Sequence, residues 1–418
     1  MKIAYLTADF GVPVPGTKGA SVHVQEMVRA LQGEGHEVMV LTPAATGNRF
    51  DARVQDIPLG PMAAEMIDAL RQEELAAGNR LAKDLRNLLY SLTFAEQAAP
   101  LVWEFLPDLV YERYSLFGFG GSELALRLGV PFFLEVNAPL IDEQRRMRGL
   151  SLPGVAEAVE SRVFDSASHI FVVSEPLRDY VAGQAVPPDR ITVLPNGADP
   201  DRFAPPDGPS PLRRRLDWEE HFVVGFVGSM KSWHGVDTLV AALRMLVDAD
   251  PRYRLLLVGD GPERDAIERR TVELGLSGYV RMIGAVPHDV VPDCIAAMDV
   301  AVAPYAANAD VYFSPVKLFE YLAMARPTVA AAVGQAAEII EQGRTGWLYP
   351  AGDSTKLAGV IHELSRDPER ARRVGAAGRR LVLERYTWSA NARRVIETAE
   401  RMGAGSVEPV TTMDDRMP

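Results

Sequence analysis

The stretch FSPVKLFEYLA, Phe313 to Ala323, sets a lysine and a glutamate three residues apart, on one face of a helix. Leu318, Phe319, Tyr321 and Leu322 supply its inward face. Ser314 is placed to cap the helix and Pro315 to open it. Lys317 then falls in the first turn, where the helix dipole disfavours a cation. A diphosphate docked on that end resolves the conflict, because the free amides near Ser314 and Val316 and the ammonium all attract an anion. Glu320 lies about 4.5 Å farther along the axis, roughly the step from a diphosphate to a ribose. A carboxylate there can accept two hydrogen bonds from the sugar diol. The alternative is a plain Lys317–Glu320 surface pair, which in this order contributes at most a few tenths of a kcal/mol.

Other turns carry related chemistry. In FVGSMKSWHGVD, Gly228 and Ser229 end a strand and Gly235 opens a helix, with Lys231, Trp233 and His234 between them. A lysine beside a helix N-terminus can hold phosphate, and a solvated loop around a packed tryptophan is the bland alternative. In ADFGVPVPGTKGASVHV, Gly19 opens a helix whose amides could hold an anion, but neither a GxGxxG nor a P-loop is present. VGDGPE and IGAVPHD follow two further buried strands. DEQRRMRGL brings Arg145, Arg146 and Arg148 together, for an anionic acceptor, a membrane surface or simply solvent. The triplets Asp248–Asp250 and Asp199–Asp201 read as turn and capping residues, and no His and Cys cluster points to a metal. Cys294 reads as a buried structural thiol, and His23 as a helix residue that either packs or meets an acceptor.

Positioning these residues takes strands and helices in alternation. KIAYLTADF, HEVMVLTP, PDLVYERY, VPFFLEVN, SHIFVVSE and ITVLPNGAD read as strands, and residues 62 to 104 as helical. The proline- and charge-rich FAPPDGPSPLRRRLDWEE interrupts them, and the rhythm restarts at HFVVGFVGS. The expected class is α/β, two Rossmann-like doubly wound parallel-sheet domains facing a central cleft. The expected division is 1–205, a linker over 206–219, 220–385, a helix over 386–402 crossing back to the first domain, and a mobile tail over 403–418. The 418 residues carry a net charge of -12, which argues against nucleic acid as the main partner. A single cysteine fits a reducing compartment, and no targeting segment or membrane span is visible, so the protein is expected to be cytoplasmic.

VVSEPLRDY, VLPNGADPDRF, FVGSMKSWHGVDTLVAAL, LLLVGDGPE, MIGAVPHDVVPDCIAAMDVAVAPY and LFEYLAMARPTVAA, in this order, resemble the GT-B glycosyltransferases, specifically the retaining group four. The resemblance implies a nucleotide diphosphate sugar on the second domain, an acceptor (sugar, lipid-linked sugar or small natural product) on the first, and no cofactor or metal. Glu320 would grip the ribose, Ala285 and Val286 would lie against the base, and the last helix would cross back from about Trp388. Several family positions differ. Tyr312 stands where a sugar-binding glutamate is usual and is kept among the donor-site residues, with Asp310 or Ser314 as substitutes for the sugar contact. Ser229 replaces an arginine and His234 a lysine, so Lys231 and Lys317 are expected to carry the diphosphate charge with His234 donating. Asn137 replaces a histidine after the PFFLEV strand and is expected, with Lys231 and Lys317, among the catalytic residues, where it could hydrogen-bond a sugar hydroxyl. The implied reaction retains anomeric configuration, with a leaving-group oxygen taking the acceptor proton. A nucleotide-sugar epimerase or phosphorylase, or a non-catalytic nucleotide-sugar binder, are the other readings on this frame.

Overall fold

The computed structural model describes residues 1–45, 50–77 (side chains to 72), 81–147, 149–307 and 312–403. Asp310, Arg148 and all of the tail but Gly403 lie outside the described residues. Seven strands form the first sheet: β1 (Lys2–Thr7), β2 (Glu37–Thr42), β3 (Arg53–Asp56), β4 (Leu109–Arg113), β5 (Phe132–Val136), β6 (His169–Val172) and β7 (Ile191–Val193). Their order is β3-β2-β1-β4-β5-β6-β7, parallel throughout. Six more form the second: β8 (Phe222–Val227), β9 (Tyr253–Val258), β10 (Val280–Gly284), β11 (Val300–Ala303), β12 (Thr328–Ala331) and β13 (Trp347–Tyr349). They run β10-β9-β8-β11-β12-β13, again parallel.

The strands that carry these sheets are apolar on both faces because helices cover both. Ala4 and Leu6 face one core with Val110 and Leu134, while Ile3 and Tyr5 face another with Tyr111 and Phe133. Strand order reverses between β1 and β4 and between β8 and β11. Those are the points where an open sheet parts to admit a ligand at its carboxyl edge.

Three elements depart from the sequence reading. β3, RVQD, is too polar to announce itself, yet it pairs with β2 at the sheet edge. The helical stretch over 62–104 is two helices, Pro61–Ala77 and Leu81–Phe105. The proline-rich interruption contains a short helix, Pro211–Arg215, whose Arg213 guanidinium donates to both oxygens of Asp299 at 3.0 and 2.9 Å. Trp218, just after it, is buried in the second core.

The helix Trp388–Arg401 leaves the second sheet's core and buries Trp388, Ala392, Val395, Ile396 and Ala399 among Ile3, Tyr5, Val24 and Met27. Thr387 caps it, its Oγ1 accepting from the Ala390 amide at 3.1 Å. Asn391 Nδ2 donates to the Pro195 carbonyl at 2.7 Å, and the Trp388 ring stands edge-on to His23, with centroids 5.1 Å apart. Because Trp388 seats this helix on the first domain, Trp388→Ala is predicted to cost about 3–5 kcal/mol. Urea unfolding measures it, and a loss under about 1 kcal/mol would show that the seat lies elsewhere.

Candidate functional site

At the carboxyl edge of β8 and β11 the second sheet parts, and the helix Val316–Ala323 points its N-terminus there. The first helical amides have no acceptor within the helix. Pro315 occupies the cap position without a side-chain bond, so the expected capping by Ser314 does not occur. Lys317 extends from the first turn to the faces of Phe226 and Tyr305, with Nζ 4.5 and 5.5 Å from the ring centroids. Nζ itself is buried and has no hydrogen-bond partner among the described residues. Burial lowers its pKa from 10.5 to about 7, against the opposing pull of Glu320.

Gly228 makes room for that ammonium. Its φ of +147° suits glycine, and a Cβ there would stand 2.6 Å from Lys317 Nζ. Beside it, His234 Nδ1 donates to the Ser229 carbonyl, and Ser229 Oγ lies 3.4 Å from the same nitrogen. Burial lowers the imidazole to about 3, with Lys317 and Lys231 adding to the effect. His234 is therefore neutral at neutral pH, with its one proton already given to a carbonyl. The expectation that it shares in donating to the diphosphate is not met, and the positive charge of this loop belongs to the lysines. Lys231 lies over Trp233 at 4.6 Å.

Glu320 is 4% exposed, one turn beyond Lys317 and without an ion pair to it. His288 reaches it instead, Nε2 to Oε1 at 2.6 Å, from the turn after β10. The other ring nitrogen of His288 faces Glu26 Oε1 at 3.6 Å, on the first domain's helix Gly19–Gly33. Glu26 is in turn paired with Arg202 and with Arg29. Burial opposes the ionised form of Glu26, but His288 and Arg202 outweigh it and hold the carboxyl at about 2. Ala285 is exposed in the same turn, and Val286 packs on the second core.

Several expected site residues face elsewhere. Ser314 is buried between the domains, accepting from the Asn196 amide at 2.9 Å and donating to Gln335 at 2.5 Å. Asn196 Nδ2 also donates to the Ser314 carbonyl, at 2.7 Å. Tyr312 accepts from Ser174 through its carbonyl at 2.5 Å, and its hydroxyl donates to Glu143 at 3.1 Å. Both residues are occupied by the first domain, which corrects their assignment to the donor sugar. His23 is 4% exposed and lies between Asn196 Oδ1 and Glu135 Oε1, each at 2.6 Å, so it packs and does not meet an acceptor. Arg145, expected at the acceptor, is paired with Glu157 on the surface. Asn137 stays at the carboxyl end of β5, its Oδ1 accepting from Arg113 and its Nδ2 donating to Glu135 at 2.8 Å. Gly19 opens the helix Gly19–Gly33, and a Cβ on it would meet nothing within 4 Å.

Glu135, Asn196, Glu26 and His288 escaped the sequence reading. Glu135 sits within an apolar strand, where a lone acid could have signalled a buried ion pair. Burial opposes its charge, but His23, Arg113 and Tyr111 hold it at about 2. His288 follows the turn assigned to the base directly, and that adjacency was the available signal. Asp199 turns back on the amides of Asp201 and Arg202 at 3.0 and 3.2 Å, as a turn residue does. Cys294 is buried, and burial raises its thiol to about 11. Among the described residues no group of three or more His, Cys, Asp or Glu could hold a metal. No described helix is long and apolar enough to cross a membrane.

Residues 221–367 match the family described as glycosyl transferases group 1, and residues 18–197 a glycosyl transferase 4-like domain. A GDP-mannose-dependent alpha-(1-6)-phosphatidylinositol monomannoside mannosyltransferase of Mycolicibacterium smegmatis is 30% identical over 253 residues. That match spans 60% of this chain and 66% of the relative, just under two thirds of its length. A D-inositol 3-phosphate glycosyltransferase of Streptomyces scabiei is 27% identical over 92% of this chain and 87% of its own. Among solved structures, Anabaena HepE in complex with UDP-glucose superposes with a TM-score of 0.71 at 19% identity, covering 96% of this chain and 100% of that one. Sucrose-phosphate synthase from Thermosynechococcus elongatus does so with a TM-score of 0.72 at 22% identity, over 96% and 99%. These last two bear on the fold, which is GT-B.

Gly228→Ala is predicted to push Lys317 out of its pocket while straining the β8 turn. The expected result is a loss of stability of about 1–3 kcal/mol. Pyrophosphate binding by calorimetry should fall with it, and retained binding would place the anion away from Gly228.

Proposed function

The chain belongs to the group 1, glycosyltransferase 4-like family, and from that premise we propose that it moves a sugar from a nucleotide diphosphate sugar to an acceptor hydroxyl with retention of configuration. One observation carries the reading: a buried ammonium, Lys317 Nζ, unpaired beside free helix amides at the switch point of the second sheet. An unpaired buried charge costs several kcal/mol, and a diphosphate is the ligand that relieves it. Glu320, one turn on, is the proposed acceptor of the ribose diol. Lys231 adds charge from the neighbouring loop. Ala285 and Val286 are the proposed base contacts, with Gly19 and Asn137 opposite on the first domain.

In the proposed reaction the acceptor oxygen bonds to the anomeric carbon as the bond from that carbon to the diphosphate breaks. The acceptor proton passes to the departing phosphate oxygen. Lys317 and the helix amides stabilise the negative charge that grows on the diphosphate, and the site's contribution is orientation and charge. Lysine charge takes the place a metal would fill, so the reaction is proposed to be metal-independent and to need no cofactor beyond the co-substrate. A cytoplasmic setting belongs to the same proposal. The mannosyltransferase relative is named for GDP-mannose and the HepE complex holds UDP-glucose, so both donors belong in the first screen.

The test is a thermal-shift screen of nucleotide sugars followed by transfer assays, with the anomeric configuration of the product read by NMR and activity repeated in EDTA. A donor that binds N but not U raises the melting temperature by mass action. Glu320→Ala and Lys317→Ala are each predicted to weaken donor binding by about 1.5–3 kcal/mol, the range for hydrogen bonds to charged groups. Donor affinity unchanged in both variants would refute the site, and an inverted product would refute retention.

A further inference from the structure

His288 stands between two carboxylates that belong to different domains. Nε2 is 2.6 Å from Glu320 Oε1 on the helix that carries Lys317, and Nδ1 is 3.6 Å from Glu26 Oε1 on the first domain's opening helix. Side-chain exposure falls from 16% at His288 to 6% at Glu320 and 2% at Glu26, so the pairing is largely shielded from solvent. A neutral imidazole has one N–H and can answer one of these acids, leaving its lone pair toward the other. An imidazolium answers both. Without that charge, Glu320 would lose the cation that answers it, while Glu26 would keep Arg202 and Arg29.

We propose that His288, as an imidazolium, is a positioning residue of the donor site, holding Glu320 in place and fastening it to Glu26. Gripping the ribose and seating the second domain on the first are then a single event. This rests on the donor reading of Glu320 given above.

The groups around His288 are few. Glu320 and Glu26 face it, Arg202 and Arg29 pair with Glu26, Lys317 lies one turn before Glu320, and the Phe203 ring is 5.4 Å away. Burial opposes the charged ring, but Glu320 and Glu26 together raise its pKa from 6.5 to about 9. A raised histidine contributes fully below its ordinary value of 6.5, and the contribution is lost as pH rises through about 9.

Full-length wild type, H288Q, E26Q and the double variant, with E320A alongside, are titrated with UDP, GDP and ADP by calorimetry between about pH 6.5 and pH 10. At neutral pH, H288Q should bind the preferred diphosphate about tenfold more weakly. Wild-type affinity should fall toward that of H288Q as pH passes about 9, with no such step in H288Q. Lys317 titrates in both proteins and cancels in their ratio. E26Q should reproduce the loss, and the double variant should add nothing to H288Q.

Wild-type binding by H288Q across the range, or by E26Q, would overturn the inference even while E320A loses the ligand. Normal binding by E320A, or no diphosphate bound by wild type, would instead overturn the donor reading and the inference with it. Should H288Q not fold, nitrogen-15 NMR of the wild-type imidazole decides: titration near 9 supports the proposal, and titration near 6.5 sinks it.

Discussion

The positive end of Lys317 is enclosed by protein that offers it two aromatic faces and no acceptor. Such faces return about 0.5–2 kcal/mol, less than burial of a lone charge costs. The surroundings preserve the imbalance. Gly228 lacks the side chain that would collide with Nζ, and His234 is kept neutral beside it. Glu320, on the same helix, is engaged by His288 and makes no ion pair with the lysine. A lysine left half-charged in this way is what the proposed anion site rests on, and the split between β8 and β11 is the opening the proposal uses.

The segment leading into that helix is also where the two domains meet. Tyr312 and Ser314 bond to Ser174 and Asn196, and Gln335 Nε2 donates to the Val173 carbonyl at 2.8 Å. The contact joins hydrogen bonds, each worth about 0.5–1.5 kcal/mol net, to the packing of Tyr312 on the first domain's core. Polar boundaries of this kind let domains shift, whereas the apolar seat of Trp388 and its helix does not dissolve so readily. His23 links the two regions, touching Trp388 on one side and Asn196 on the other.

The parallel sheets were legible because their strands are apolar runs between helical patterns, and β3 was not because its four residues are mostly polar. Lys317 and Glu320 were legible because helical spacing fixes their relation without any other part of the chain. Ser314 and Tyr312 were misread because their partners lie 118 and 138 residues away, and only tertiary structure brings those together. The same distance hid His288, whose tie to Glu26 crosses between domains. Ser314 shows the point most plainly. Local grammar made it a helix cap, and a long-range partner claimed its hydroxyl first.

Buried charge separates structure from function in this molecule. Glu26 and Glu135 are both held near 2 because cations or donors answer them, and Asp299 is met by the fork of Arg213. Glu112, on β4 at the first sheet's switch point, has no such partner. Burial raises it to about 8 against the pull of the Gly121 amide, so near neutral pH it is mostly uncharged. An acid can escape the cost of burial by keeping its proton. Lys317, at the matching point of the second sheet, sits near its own midpoint at about 7, so a small stabilisation by a nearby anion is enough to make it fully charged. Glu112 is thus mostly neutral at the first switch point, whereas Lys317 at the second carries a charge that an anion would complete. That asymmetry is a physical argument for the proposal that the diphosphate sits on the second domain.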